Sequence, residues 1–254
     1  MSRTTRGVSL PAWRSVLAVV AHPDDESFGL GAILDAFVAG GARVSVLCFT
    51  HGEASTIHGV AGNLQEIRRL ELRYAARELG ISDVELASYP DGGLATVELD
   101  ELLAVLLETA SHCRAEGLVA FDSSGITGHP DHIRATEVTI KAGETKQLGV
   151  LGWTLPAAVA SDLQDEYGAP FIGHSESEID IELSVSRVRQ RAAIACHPSQ
   201  AVPGSVLWRR LELLGDREAL RWLRTPAVVG GTSIWWPQGK SLRIHQDTYS
   251  AETS

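Results

Sequence analysis

Residues 16–26 read Val-Leu-Ala-Val-Val-Ala-His-Pro-Asp-Asp-Glu, a valine-rich apolar run that stops at one imidazole and three carboxylates. An apolar run of this length is typical of a buried β-strand. Pro23 disfavours helical backbone at His22 and is itself suited to a turn or to the start of a helix. Because open α/β sheets bind ligands at the carboxyl ends of their strands, the segment predicts a central strand with a functional site at its end.

The chain around this segment alternates strand-like and helix-like stretches. We predict strands at 16–20, 43–50, 84–89 and 118–121, and helices at 27–38, 64–79, 99–113 and 130–146. This order predicts a three-layer, Rossmann-like α/β fold with a mostly parallel sheet, helices on both faces and right-handed crossovers.

The regularity weakens after about Gly149. There we expect an edge strand at 179–185, helices at 187–196 and 206–223, and a frayed tail at 246–254. Residues 1–254 are interpreted as one domain, with a core at about 14–200 and a smaller C-terminal elaboration at about 201–245.

The composition excludes several classes of protein. Of the 254 residues, 44% are hydrophobic and 21% are charged, which suits one α/β domain with a sizeable core. The net charge of −10 argues against a nucleic-acid or anionic-membrane partner. No apolar stretch approaches the roughly 18 residues of a membrane span, and no secretory leader is recognisable.

The number and surroundings of the cysteines indicate an intracellular protein. Cys48, Cys113 and Cys196 are odd in number and lie in apolar surroundings, so we interpret them as free thiols of a reduced cytoplasm. We therefore expect a cytoplasmic protein with no membrane span. A homo-oligomer is compatible with the sequence.

A second cluster, Gly-His-Pro-Asp-His, occupies residues 128–132. Like the first, it follows a predicted strand, so we expect the two clusters to meet at one edge of the sheet. His22, Asp25 and His132 together supply three metal ligands and leave a position open for water and a substrate oxygen. That arrangement predicts a hydrolytic centre with one zinc ion.

The remaining polar groups of the two clusters suit proton transfer. Asp24, next to the ligand Asp25, can accept a proton from water whose pKa a metal lowers. His129 suits a general acid or an oxyanion stabiliser, and Asp131 suits the orientation of an imidazole and the stabilisation of its protonated form. Glu26 either supports the ligands from behind or places an acid at the start of the next helix.

The two His-Pro-Asp motifs resemble those of the PIG-L/LmbE-like superfamily, zinc-dependent deacetylases that remove N-acetyl groups from glucosamine-containing molecules. The resemblance rests on residues 21–26 and 128–132, and its weaker support lies at 27–31, 50–53, 66–72, 89–94 and 197–200. It covers roughly residues 16–200. It implies a metal-dependent amidohydrolase whose partner is an N-acylated amino-sugar small molecule or glycoconjugate.

The resemblance also implies roles for single residues. It gives zinc ligation to His22, Asp25 and His132 and the general base to Asp24. It sets His129 at the oxyanion or the leaving group, with Asp131 behind it.

Substrate contacts are implied at Arg68 and Asp91, and the weaker motifs add Glu53 and His197. Each has a plainer interpretation. Arg68 also suits an exposed helix charge paired with Glu71, Asp91 suits a turn, and His197 suits a helix cap.

Two positions depart from the family pattern. His51 stands where an aspartate is common, which alters substrate contacts or adds an imidazole near the metal. Thr127 stands where the mycothiol-pathway deacetylases carry a tyrosine, which removes a hydrogen-bond donor to the substrate carbonyl.

Two other function classes fit part of the pattern. A nucleotide-binding Rossmann module fits the strand order, but Gly29-Leu30-Gly31 lacks the full glycine fingerprint and the nearby carboxylates would repel a pyrophosphate. A catalytically silent metal-binding protein would keep the ligands, but it has no need of Asp24, His129 and Asp131.

Overall fold

A central β-sheet with helices on both faces organises the protein. The computed structural model describes residues 8–57 and 62–226. Its strands are β1 (Ser15–Val20), β2 (Arg43–Thr50), β3 (Asp83–Tyr89), β4 (Gly117–Phe121), β5 (Gly149–Pro156), β6 (Gly173–His174), β7 (Ile181–Ser184) and β8 (Arg217–Arg224). Its helices are α1 (Asp25–Phe28), α2 (Gly31–Ala39), α3 (Leu64–Leu79), α4 (Leu99–His112), α5 (Gly125–Gly128), α6 (Pro130–Lys146), α7 (Ala157–Tyr167), α8 (Val188–Ala195) and α9 (Val206–Leu214), with one 3-10 turn at Leu94–Thr96.

The sheet order is β3-β2-β1-β4-β5-β8-β7, and β6 pairs with β5. The pairs among strands β1 to β6 are all parallel, whereas β8 is antiparallel to both β5 and β7. Strand β1 lies between β2 and β4, so the chain leaves it toward one side and later returns on the other. This switch in strand order opens a crevice at the carboxyl ends of β1 and β4.

Both faces of β1 are covered, which explains why the strand is apolar throughout. Val16, Ala18 and Val20 pack into the core that also holds side chains of α2 and α7. Leu17 and Val19 pack into the opposite core with side chains of α4 and α6.

The predicted three-layer, mostly parallel fold is confirmed, and the predicted bounds 43–50, 64–79 and 130–146 agree with β2, α3 and α6. The helix predicted at 27–38 is divided into α1 and α2. At the division, a side chain on Gly29 would approach the Phe121 ring to 2.5 Å, so the backbone packs against that ring without a Cβ.

The helix predicted at 206–223 is wrong in its second half. Helix α9 ends at Leu214, and Gly215 adopts φ 56° and ψ −125°. Residues 217–224 then form β8 inside the sheet, because their backbone groups pair with β5 on one side and β7 on the other. Strand β5 and helix α7 were missed, since Gly149 and Gly152 interrupt the apolar pattern of β5.

Among the described residues, no helix combines the length and the apolar character needed to cross a membrane. The frayed tail predicted at 246–254, and the elaboration beyond 226, lie outside the described residues.

Candidate active site

The two His-Pro-Asp motifs meet at the carboxyl ends of β1 and β4. The chain leaves β1 at Val20 and enters α1 at Asp25, so the first motif forms the connecting turn. After β4, His129 is the N-cap of α6 and Pro130 lies in its first turn. Because β1 and β4 are adjacent parallel strands, both turns lie at the same edge of the sheet.

Three donor groups converge between these turns. His22 Nδ1 lies 3.1 Å from His132 Nε2 and 3.6 Å from Asp25 Oδ2, and His132 Nε2 lies 3.2 Å from Asp25 Oδ1. Ligands held about 2.0–2.1 Å from a tetrahedral ion are about 3.3–3.4 Å apart. The three donors therefore fit a divalent metal ion.

The far sides of two of these ligands are bound to backbone groups. Asp25 Oδ2 accepts hydrogen bonds from the N–H groups of Ala21 at 3.1 Å and His22 at 2.9 Å. His132 Nδ1 lies 3.2 Å from the Gly125 carbonyl oxygen. Since that oxygen accepts only, it assigns the proton to Nδ1 and leaves the Nε2 lone pair for a metal.

The far side of His22 faces two carboxylates. Its Nε2 lies 3.0 Å from Asp91 Oδ1 and 3.2 Å from Asp131 Oδ2. Asp131 is held in turn by the backbone N–H groups of Gly92 at 2.7 Å and Leu94 at 3.1 Å. Carboxylates in this position orient a ligating imidazole and raise its basicity.

A second group, His22, His129 and Asp131, also has its ligand atoms within 4.8 Å of one another. It fits a metal less well, because both Asp131 oxygens already accept backbone N–H groups and His129 Nδ1 accepts another. In the group with Asp25 and His132, each ligand has a free lone pair and an outer partner.

The electrostatics of the site favour a cation. Burial alone would lower the pKa of His22, but hydrogen bonds with Asp131, Asp25 and Asp91 hold it well above the ordinary value. Burial would raise the pKa of Asp25, but the charge and hydrogen bond of His132 hold it well below the ordinary value. Carboxylates that keep protons on neighbouring imidazoles also attract a metal ion to the same place.

Asp24 lies beside the donors in a conformation that is rare for an L-residue, with φ 137° and ψ −25°. Its Oδ2 lies 3.0 Å from Arg68 Nη2, and the Arg68 guanidinium also donates to the carbonyl oxygens of Gly52 at 2.6 Å and Pro23 at 2.5 Å. Burial raises the pKa of Asp24 to about 6, although the positive charge of Arg68 acts to lower this pKa. Arg68 is 3% exposed and holds Asp24, so the expectation of an exposed helix charge paired with Glu71 is wrong. Its contact with a sugar stays a prediction.

His129 caps α6 through its ring. Its Nδ1 accepts the backbone N–H of Asp131 at 3.2 Å, so a neutral ring carries its proton on Nε2. Burial, together with His132 and His22, lowers the pKa of His129. The Asp131 carboxylate contacts His22 and not the His129 ring, so the expected support of His129 by that carboxylate is wrong. The part of His129 in proton transfer stays a prediction.

The other predicted substrate contacts differ in accessibility. Asp91 donates its backbone N–H to Glu53 Oε1 at 3.0 Å, so these two residues are brought together and their contacts with a substrate stay predictions. His197 has no exposed surface, and its Nε2 lies 2.8 Å from Glu26 Oε1. The expectation that His197 touches substrate is therefore wrong, because neighbouring groups cover it completely.

His51 does not join the metal donors. Its Nε2 lies 3.2 Å from Ser88 Oγ, near the end of β3. The imidazole that departs from the family pattern thus contacts the neighbouring strand.

Two backbone carbonyls of the site were missed by sequence reasoning. The Gly52 oxygen binds Arg68, and the Gly125 oxygen faces His132. Both glycines have a φ of 66°, a conformation that favours glycine, so their presence beside the motifs was the available signal.

Comparison with known proteins identifies the family. The sequence pattern of the PIG-L family, described as GlcNAc-PI de-N-acetylase, matches residues 17–143, which is half of the chain. The chain belongs to the PIG-L family. The match includes every residue of the two His-Pro-Asp motifs, and it ends inside α6.

Individual PIG-L relatives and structures extend this result. A 1D-myo-inositol 2-acetamido-2-deoxy-alpha-D-glucopyranoside deacetylase of Salinispora arenicola is 36% identical over 156 residues, covering 52% of this chain and 51% of the relative. The chain thus spans about half the length of the curated relatives it matches. The structure of the A40926 pseudoaglycone deacetylase Dbv21 superposes with a TM-score of 0.64 at 18% identity, covering 82% of this chain and 96% of that one.

A structural neighbour with a different reaction also shares the fold. GalB, the 4-carboxy-2-hydroxymuconate hydratase of Pseudomonas putida, superposes with a TM-score of 0.61 at 19% identity, covering 87% of this chain and 100% of that one. At these identities the likeness shows the fold alone, so the reaction must be argued from the site.

Proposed function

We propose that this PIG-L family protein is a zinc-dependent hydrolase that removes an N-acetyl or related N-acyl group from an amino-sugar-containing small molecule or glycoconjugate. The observation that carries the proposal is the convergence of the donor atoms of His22, Asp25 and His132 beside the Asp24 carboxylate. The family description, a de-N-acetylase, supports the same reaction.

Zinc is the metal that this donor set favours. Two imidazole nitrogens and one carboxylate, with a position left open, are typical of catalytic zinc sites. When bound, zinc supplies a Lewis acid for the acyl carbonyl and lowers the pKa of a water molecule.

The side chains then account for the protons of the hydrolysis. Water adds its oxygen to the acyl carbon, the carbon–nitrogen bond breaks, and a carboxylate and a free amine leave. Asp24 accepts the proton of the attacking water and passes it to the departing nitrogen, while Arg68 keeps the carboxylate oriented. The Nε2–H of His129, whose Nδ1 accepts the Asp131 backbone N–H, donates a hydrogen bond to the carbonyl oxygen as negative charge develops there.

The names of the relatives support the proposed substrate class. The Salinispora arenicola relative is named for an acetamido-glucose joined to inositol, which supports an N-acylated amino sugar here. Thr127 stands where the mycothiol-pathway deacetylases carry a tyrosine, so we expect a preference among such sugars that differs from that of the mycothiol pathway. We also propose that the protein acts in the cytoplasm, where its three free cysteines stay reduced.

The test is release of free amine from a panel of N-acetylated glucosamine derivatives, including inositol-linked, oligosaccharide and glycoconjugate members. We expect turnover of at least one member, loss of turnover with chelator and recovery with one zinc per chain. Asp24→Asn is expected to keep zinc and to slow turnover by about 10²-fold, as for loss of a general base.

A matched pair of histidine variants tests the metal ligands. His132→Ala is expected to lose zinc, whereas His174→Ala is expected to keep it, because His174 contacts Thr154 outside the donor group. Zinc retained by His132→Ala would contradict the ligand set. Absence of amine release from every sugar, with zinc bound, would contradict the reaction.

A further inference from the structure

A fully buried pair of charged side chains lies directly behind Asp24. Glu26 and His197 are both 0% exposed, and His197 Nε2 lies 2.8 Å from Glu26 Oε1. Ser27 Oγ donates to the same oxygen at 2.6 Å. The other oxygen, Glu26 Oε2, accepts the backbone N–H of Asp24 at 2.9 Å.

That last hydrogen bond reaches the residue with the most unusual backbone of the site. Asp24 has φ 137° and ψ −25°, a region that side-chain-bearing residues avoid unless their surroundings hold them there. Its side chain is held by Arg68 at 3.0 Å, and its amide is held by Glu26. Two independent contacts thus determine where the Asp24 carboxylate lies.

The partner of Glu26 comes from a distant part of the chain. His197 follows the end of α8, and burial, which would lower its pKa, is outweighed by the charge and hydrogen bond of Glu26. The contact of His197 Nε2 with Glu26 Oε1 fixes the orientation of the Glu26 carboxylate. The segment after α8 is therefore linked to the backbone of Asp24 through Glu26.

We propose that Glu26, oriented by His197, is a positioning residue that holds the Asp24 backbone in its strained conformation and so places the Asp24 carboxylate at the donors. The proposal rests on the proposed function in one respect, the role of Asp24 as the base. Its structural part, control of the Asp24 backbone, is independent of any reaction.

The test compares Glu26→Met, which keeps the volume but removes both acceptor oxygens, with Glu26→Gln, which keeps one. Glu71→Met is the matched control, since Glu71 is 5% exposed and its oxygens bind Ser199 at 2.9 and 2.6 Å. In Glu26→Met we expect kcat to fall about 10-fold or more, as for a base displaced by about 1 Å, with KM and zinc content near those of the wild type. Glu26→Gln is expected to recover most of the loss.

Crystal structures of the same variants separate this inference from the proposed reaction. In Glu26→Met, Asp24 is expected to leave positive φ and to lose its contact with Arg68. If Asp24 keeps its conformation there, or if kcat falls no further than in Glu71→Met, the inference is overturned. If the wild type releases no amine, the proposed hydrolysis is wrong. The crystal structures of the variants then still test whether Glu26 holds the Asp24 backbone.

A second variant covers the case in which Glu26→Met does not fold. In His197→Asn the shorter amide cannot reach Glu26, so we expect kcat to fall by about 3-fold or more with KM unchanged. An unchanged kcat in folded His197→Asn would overturn the role of His197.

Discussion

Replacing Asp24 by alanine and, separately, by glycine measures the strain in the turn that carries the proposed base. Both variants remove the buried carboxylate and its contact with Arg68, so these losses cancel when the two are compared. The remaining difference in stability between the two variants reports the backbone strain, because glycine adopts a φ of 137° without a steric penalty and alanine does not.

The difference can be worked out from the dihedral angles. A residue other than glycine in a sparsely populated region costs about 1–3 kcal/mol. Glycine loses more chain entropy on folding than alanine, which costs about 0.4–1 kcal/mol in the opposite direction. With mid-range values, Asp24→Gly is expected to exceed Asp24→Ala in free energy of unfolding by about 1.3 kcal/mol.

The assay is equilibrium unfolding in urea with chelator present, so that metal binding does not add to stability. Glu108, exposed within α4, supplies the control position, where alanine is expected to be more stable than glycine by about 0.5–1 kcal/mol. The sign of the difference should therefore reverse between the two positions. If alanine is also the more stable residue at position 24, the backbone there carries no strain and the reasoning is refuted.

Three further substitutions test the surroundings of the base and the ligands. Gly52→Ala should displace the Arg68 guanidinium, because a Cβ on residue 52 would overlap it. We expect the rate of amine release to fall about 10-fold or more, and a crystal structure with Arg68 unmoved would contradict this. His129→Ala should lower kcat by about 10²-fold through loss of the oxyanion donor while zinc is retained, and zinc loss in a metal assay would make it a ligand instead. Asp131→Asn should weaken zinc binding about 10-fold to 100-fold, measured by competition with a chelating dye, because it supports His22; unchanged affinity would count against that support.

Local patterns predicted the elements up to β4 and α6 and the clustering of His22, Asp25 and His132, because these depend on neighbouring residues. The apolar run before His22 and the proline after His129 each mark the end of one element and the start of the next. The sheet then brings the two turns together, since β1 and β4 are adjacent and parallel. Convergence of His22, Asp25 and His132 thus follows from topology that the alternation of strands and helices predicts.

Contacts between distant side chains were not predictable in the same way. Asp131 follows His129 by two residues, yet its carboxylate supports His22, because the His129 ring is occupied in capping α6. From the sequence, His197 could reach a substrate. The structure shows instead that its side chain is buried, with Nε2 against Glu26 Oε1.

Strand β5 escaped prediction for a steric reason. Its glycines reduce the apolar signal, although a Cβ at Gly149 would lie 3.0 Å from Trp13 and one at Gly152 would lie 2.8 Å from Leu223. The same absence of side chains that weakens the pattern permits the neighbours to pack closely.

The position of β8 in the sheet has a consequence for the order in which the chain folds during synthesis. Among the described strands, β7 pairs only with β8, which is made after it and lies between β7 and β5. A chain still being translated can assemble the parallel strands from β1 to β5, but β5 then has an open edge and β7 has no neighbour to join. The sheet closes on that side only when Arg217–Arg224 has left the ribosome, so a chain that stops before this point would expose an unpaired strand edge to other chains.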